Sequence, residues 1–203
     1  MKKQFWHDAI TERSFVFLQE LRKTYKFVLI GGWAVYFFTH ALKSKDIDII
    51  VEFGELAKLR NFFSLIKNDR LNEYEVKAEG FDVDIYVPYW SKLGLPLEFV
   101  LDRAVSVEGF LVPEIEILIA LKLFVYRERK GSLKGQKDLL DIASLLYHGD
   151  VALEALQKIL QIHNLKFLLD ELRSILGNTY ELTEIGLNRK KFSDFKKPIL
   201  KKL

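Results

Sequence analysis

Residues 43–51 read KSKDIDIIV, and the fold turns on how this stretch is placed. Alternation of period two sends Asp46 and Asp48 to one side of a strand and Ile47, Ile49 and Val51 to the other. Asp is depleted in strands. Two like charges roughly 6–7 Å apart on one strand face repel by roughly 2–3 kcal/mol at an effective dielectric near 20. A strand that carries them needs solvent, a basic neighbour or a cation to offset that repulsion.

The flanking sequence supplies the other elements. KFVLIGG (26–32) is a short buried strand ending in Gly31-Gly32, and WAVYFFTHAL (33–42) is a helix opening at or just after the glycines. Residues 7–24 place Ile10, Phe15, Phe17, Leu18 and Leu21 among charges, the mark of an amphipathic helix. ELAKLRNFFSLIKND (55–69) keeps helical spacing through Leu56, Leu59, Phe62, Phe63 and Ile66. YEVKAEG and FDVDIYV alternate on either side of Glu79-Gly80 and predict a hairpin; RAVSVEGFLV repeats that signature at Glu108-Gly109.

From Pro113 the character is helical. Residues 113–130 start with Pro at a first-turn position and end in basic residues before Gly131. Residues 137–149 follow, then 151–177, divided near His163-Asn164. The expected organisation is an α/β part over 1–112, a helical part over 113–180 and a basic tail over 181–203.

Composition narrows the class. With 49% hydrophobic residues and 16 Phe, 8 Tyr and 3 Trp, the 203-residue chain has ample material for a core. It has no cysteine, which removes disulfides, thiolate catalysis and Cys-based zinc sites together. The N-terminal stretch lacks a continuous apolar run, and no run is long enough to span a bilayer, so a cytoplasmic protein is expected. The net charge of +3 hides an asymmetry: residues 186–203 hold seven Lys/Arg against Asp194 alone, leaving the rest of the chain at −3. That tail suits RNA or DNA, a solubilising end, or a strand or helix docking back onto an acidic body. No G-x-x-x-x-G-K-[ST] phosphate loop and no G-x-S-x-G nucleophile motif is present.

The residues that remain form an ordered set: Gly31-Gly32 at a strand-to-helix turn, Asp46 and Asp48 on the next strand, and Asp82 and Asp84 on a hairpin strand. Bare glycine backbone at a helix N-terminus admits a phosphate. Carboxylates gathered on one sheet face make a hard oxygen site suited to Mg²⁺, and two such ions can activate a hydroxyl and hold a leaving phosphate. Over residues 27–88 the set resembles the polymerase-β-like nucleotidyltransferase superfamily: Ile30-Gly31-Gly32, thirteen intervening residues, Asp46-Ile47-Asp48-Ile49, then Val83-Asp84-Ile85.

The resemblance implies a mixed sheet backed by helices, an NTP substrate, two Mg²⁺ ions and transfer of a nucleoside monophosphate with release of pyrophosphate. It makes Asp46, Asp48 and Asp84 the metal ligands and catalytic carboxylates, with Asp82 as the rival for the third place. Gly31, Gly32 and Ser44 would bind phosphate. ALKLFVYRERKGSLKGQKDLLDIASLL is similar to the downstream region of the minimal, abortive-infection toxin-type nucleotidyltransferases. That similarity implies that Lys122 and Lys137 reach the triphosphate, with Asp138 or Asp141 completing the pocket, and allows a toxin-antitoxin role with a protein partner. The ordinary alternative is a Lys137–Asp141 i,i+4 pair on an exposed helix face. A nucleotide- or RNA-binding module that has lost transfer is the alternative for the whole chain. The acceptor is open: RNA, protein or a small molecule. Trp33, Tyr36, Phe37 and Phe38 read as core, Tyr86 and Tyr89-Trp90 as packing, and His7, His40, His148 and His163 lack metal-ligand spacing.

Overall fold

The computed structural model describes residues 8–203; His7 and the start of the expected first helix lie outside them. The chain divides into two compact units, one ending at Glu114 and one running from Ile115 to Leu203. Among the described residues no helix is long and apolar enough to cross a membrane.

The first unit is built on a five-stranded mixed sheet. Its strands are β1 (Val28–Ile30), β2 (Ile47–Ile50), β3 (Ile66–Asn68), β4 (Glu73–Lys77) and β5 (Asp82–Tyr86), ordered β1-β2-β5-β4-β3. Only β2 and β5 run parallel; the other pairs are antiparallel. Two helices, α1 (Asp8–Thr24) and α3 (Phe53–Phe62), cover one face. Phe17, Leu21, Leu59 and Phe63 meet Ile49, Val76, Val83 and Ile85 there. Alternation explains the choice of face: Ile47, Ile49, Val83 and Ile85 are at most 2% exposed, and the carboxylates between them must leave on the other side.

The helix α2 (Gly31–Thr39) begins at the first glycine. Trp33, fully buried, donates its indole N–H to Ser14 Oγ at 2.9 Å, which satisfies two buried polar groups at once. Phe37 stacks on Phe110 at 4.7 Å between centroids. Phe110 belongs to a two-stranded sheet of β6 (Ala104–Val107) and β7 (Phe110–Pro113). Glu108 and Gly109 both take positive φ in the connecting turn, the conformation that matches the twist of a tight hairpin. A short helix, α4 (Leu97–Asp102), precedes β6.

Two elements differ from the sequence reading. The helical spacing continued through Ile66, but α3 stops at Phe62 and Phe63 turns extended. Ile66–Asn68 instead pair with Glu73–Glu75 as an edge strand. Ladder bonds to β4 outweigh a weak local preference, and Asn68 fixes the turn by accepting from Leu71 N–H at 3.2 Å. Pro113 closes β7 rather than opening a helix, lying opposite Ala104 at the end of the ladder.

The second unit is helical: α5 (Ile115–Arg129), α6 (Leu133–His148), α7 (Leu153–Ile162), α8 (Phe167–Asn178) and α9 (Arg189–Lys202). Ser132 caps α6 by accepting from Gly135 N–H at 3.0 Å. The basic tail folds back on this unit. Phe192 of α9 is fully buried, and Lys196 donates to the carbonyls of Leu176 and Thr179 at 2.8 Å each, closing the C-terminal end of α8.

Candidate active site

Parallel pairing of β2 with β5 sets Asp48 directly opposite Asp84, with Ile47 opposite Val83. Residues opposed across a ladder leave the sheet on the same side, so both carboxylates project from the face opposite α1 and α3. Asp46, just ahead of β2, accepts at Oδ1 from the backbone N–H of Asp82 at 3.1 Å and has Lys45 Nζ at 3.6 Å. Asp82 and Asp84 share a face of β5 but have different surroundings. The Asp82 carboxylate is held by Lys77 Nζ at 3.1 Å and is 37% exposed. Asp84 is half-buried and looks onto Asp48.

The face carries two more carboxylates, which the sequence analysis did not single out. Glu75 lies opposite Asp84 on β4. Glu73, on the same face two residues earlier, is 6% exposed, and it accepts a hydrogen bond from the Tyr86 hydroxyl. The signal was present: counting back from the Glu79-Gly80 turn pairs Lys77 with Asp82 and Glu75 with Asp84. Lys77 answers part of the added charge, bridging Glu75 at 2.6 Å and Asp82 at 3.1 Å.

Crowding has a measurable consequence. Burial, followed by the charges of Asp48, Glu73, Asp46 and Glu75, pushes the Asp84 carboxyl up to about 8. Burial, followed by the charges of Asp48, Asp84 and Glu73, drives the Tyr86 hydroxyl well above its ordinary value. The repulsion inherent in the D-x-D stretch is thus concentrated by the tertiary structure instead of being relieved.

Gly31 closes the site at the other strand. It takes φ +66°, and a Cβ there would lie 2.0 Å from Asp48 Oδ2 and 2.8 Å from Asp48 Cβ. The antiparallel register explains the contact, because Ile30 is opposite Asp48. The first turn of α2 consequently begins against the Asp48 carboxylate, and that turn contains no acidic residue and no side-chain cap. Ser44, two residues before Asp46, is 6% exposed. Among the described residues, no three His, Cys, Asp or Glu side chains already form a metal-holding group; the carboxylates share a face without forming a closed cage.

Lys122 and Lys137 belong to a separate cluster inside the helical unit. Lys122 Nζ lies 3.0 Å from Asp138 Oδ1 and 2.7 Å from Asp141 Oδ2. Lys137 Nζ lies 3.2 Å from both Asp141 oxygens. The Lys137–Asp141 pair is not on an exposed face: the residues are 8% and 1% exposed. Burial drives the Asp141 carboxyl up, but the ammonium groups of Lys122 and Lys137 override it and hold the group below its ordinary value. Lys122→Met would leave two buried carboxylates short of a partner, and a loss of about 3–5 kcal/mol in urea unfolding is expected; a change below 1 kcal/mol would reject this account of the cluster.

Two aromatic expectations also separate. Trp33 and Phe37 are core, with 0% and 4% exposure, and Trp90 packs on Tyr74 at 4.7 Å. Tyr89 does not pack: it is 86% exposed with φ +63°, because the turn after β5 points it outward.

No protein-family model matches the sequence, and no curated protein gives a significant match. Solved structures do. JHP933 from Helicobacter pylori superposes with a TM-score of 0.55 at 18% identity, over 97% of this chain and 94% of that one. A Helicobacter pylori structure provisionally named a nucleotidyltransferase gives a TM-score of 0.55 at 18% identity, over 98% and 97%. An antigenic nucleotidyltransferase-like protein from Paracoccidioides brasiliensis also matches, at TM-score 0.44 and 18% identity over 88% and 97%; at that score its superposition bears no weight. The likeness is one of architecture. This chain has a mixed α/β, nucleotidyltransferase-like fold.

Proposed function

We propose that the chain is a Mg²⁺-dependent nucleotidyltransferase that moves a nucleoside monophosphate from an NTP to an acceptor hydroxyl, with pyrophosphate leaving. The observation that carries this reading is the β2–β5 register, which sets Asp48 against Asp84 beside the N-terminus of α2. The nucleotidyltransferase-like fold supports it.

The donor set fits the cation. Asp46, Asp48 and Asp84 offer hard carboxylate oxygens, and the Asp84 carboxyl resists ionisation because it is buried among other carboxylates. These three would hold Mg²⁺. When bound, the ion supplies charge neutralisation for the carboxylates and for the phosphate oxygens. The chain's own groups do the rest. Backbone N–H groups at Gly31 and Gly32 and the Ser44 hydroxyl bind phosphate oxygens at the positive end of α2. Asp84, once ionised, accepts the proton of the acceptor hydroxyl at a carboxylate oxygen. The acceptor O–Pα bond forms as the bond from Pα to the bridging β-phosphate oxygen breaks. Lys122 and Lys137 have their charge matched by Asp138 and Asp141 inside their own unit.

The test is incubation with each of four α-labelled NTPs, Mg²⁺ and candidate RNA, protein and small-molecule acceptors. Label should transfer with the parent chain and fail with Asp46→Ala and Asp48→Ala. Transfer that survives both changes would remove the assignment. Calorimetric binding of NTP without Mg²⁺ dependence, and no product from any acceptor, would instead identify a binding module that has lost transfer.

A further inference from the structure

The excess charge of the last eighteen residues is not scattered once it is folded. Seen down α9, with 100° per residue, Lys190, Lys197 and Lys201 fall within about 40° of one another. They lie roughly opposite Phe192, which is fully buried. All three are exposed, and together they make a stripe about 16 Å long. Arg189, Lys191 and Lys202 are exposed beside it. Acidic relief is slight: Asp194 reaches Lys197 only at 3.9 Å, and Glu154 reaches Lys202 at 3.7 Å. Lys196 is different, since its ammonium is used to bind α9 to the end of α8.

An aromatic ring stands beside α9 on the flank that carries Arg189 and Lys196, roughly 100–120° round from the stripe. Tyr180 is 64% exposed. The Arg189 guanidinium lies 5.7 Å and the Lys196 ammonium 5.6 Å from its ring centroid. A ring that is open to solvent with the exposed Arg189 guanidinium beside it offers a stacking surface with a phosphate partner at hand, whereas Lys196 is committed to the α8 carbonyls.

We infer that the lysine stripe of α9, with Tyr180, is a docking surface for single-stranded RNA. A polyanion satisfies the lysines; unpaired bases are needed to use the ring, which a duplex keeps covered. An anionic membrane matches the charge but not the rest. A helix that settles on a bilayer presents apolar residues to it, whereas Phe192 is buried and Phe195 is engaged edge-on with Tyr147 at 5.4 Å.

The full chain, without NTP or Mg²⁺, is titrated into a fluorescein-labelled single-stranded RNA of roughly 20 nucleotides and followed by anisotropy at several salt concentrations. Without NTP or Mg²⁺, the outcome is independent of nucleotidyl transfer. Binding should weaken steeply with salt. The triple variant K190Q/K197Q/K201Q, checked for an unchanged melting temperature, should bind at least about 10-fold more weakly with a log–log salt slope shallower by about 2. Tyr180→Ala should weaken single-strand binding about 5-fold or more, and Tyr180→Phe should restore it. Wild-type affinity and slope in the triple variant would overturn the inference. So would equal affinity for a duplex of the same length, or binding to phosphatidylserine vesicles that the triple variant loses while RNA binding stays.

Discussion

At pH 8, Asp84→Asn is expected to melt at a higher temperature than the parent chain while losing nucleotidyl transfer. In the folded chain the Asp84 carboxyl is raised from 3.8 to about 8. A group raised in this way contributes stability that is fully present below about pH 4. That stability is lost as pH rises towards 8, because the unfolded chain ionises freely and the folded one cannot. The parent chain, in the absence of Mg²⁺, should therefore lose on the order of a few kcal/mol across that window. The Asn variant removes the ionisable group and most of this slope. Its transfer rate should fall by about 10²–10⁴-fold, the range for a lost proton acceptor. Mg²⁺ should raise the melting temperature of the parent at pH 8 and do little for Asp84→Asn. Thermal melts at pH 5 and pH 8, with and without Mg²⁺, decide the matter. A variant that is less stable at pH 8, or one that keeps its transfer rate, would show that Asp84 serves the fold and not a site.

The second large effect belongs to Gly31. Gly31→Ala must place a side chain at φ +66° with its Cβ 2.0 Å from Asp48 Oδ2 and 2.6 Å from Asp48 Cγ. The backbone strain costs about 1–3 kcal/mol, and the overlap adds about 1–3 kcal/mol more. A loss of roughly 3 kcal/mol or more in urea unfolding is expected. Rotating the carboxylate does not clear the contact, since Asp48 Cβ itself would be 2.8 Å away. A double-mutant cycle with Asp48→Gly separates the two parts: the overlap disappears and the φ strain stays, so a coupling of at least about 1 kcal/mol is expected. An unchanged midpoint for Gly31→Ala would mean that β1 and β2 do not meet as described.

Much of this was legible in the chain. Period-two alternation in DIDII and DVDIY placed the carboxylates opposite the isoleucines, and the two Glu-Gly turns located both hairpins. The failures are instructive because each was decided by a partner distant in sequence. Ile66 fits a helix by spacing, but its backbone bonds to Glu75. Lys137 and Asp141 satisfy a surface i,i+4 rule, yet they are buried because Lys122, on another helix, completes their charge. Glu73 and Glu75 join the carboxylate face only when the register is counted back from the Glu79-Gly80 turn, which sets Glu75 opposite Asp84.

By itself the sequence determined which residues alternate, where the chain turns and where its charge accumulates, because those properties depend on neighbours a few positions away. Only the tertiary structure decided that Asp48 meets Asp84, that Gly31 lies against Asp48 and that α9 turns Phe192 inward, leaving its lysines exposed. Strand register and helix rotation depend on side chains tens of residues apart burying apolar surface together, and no local rule contains that.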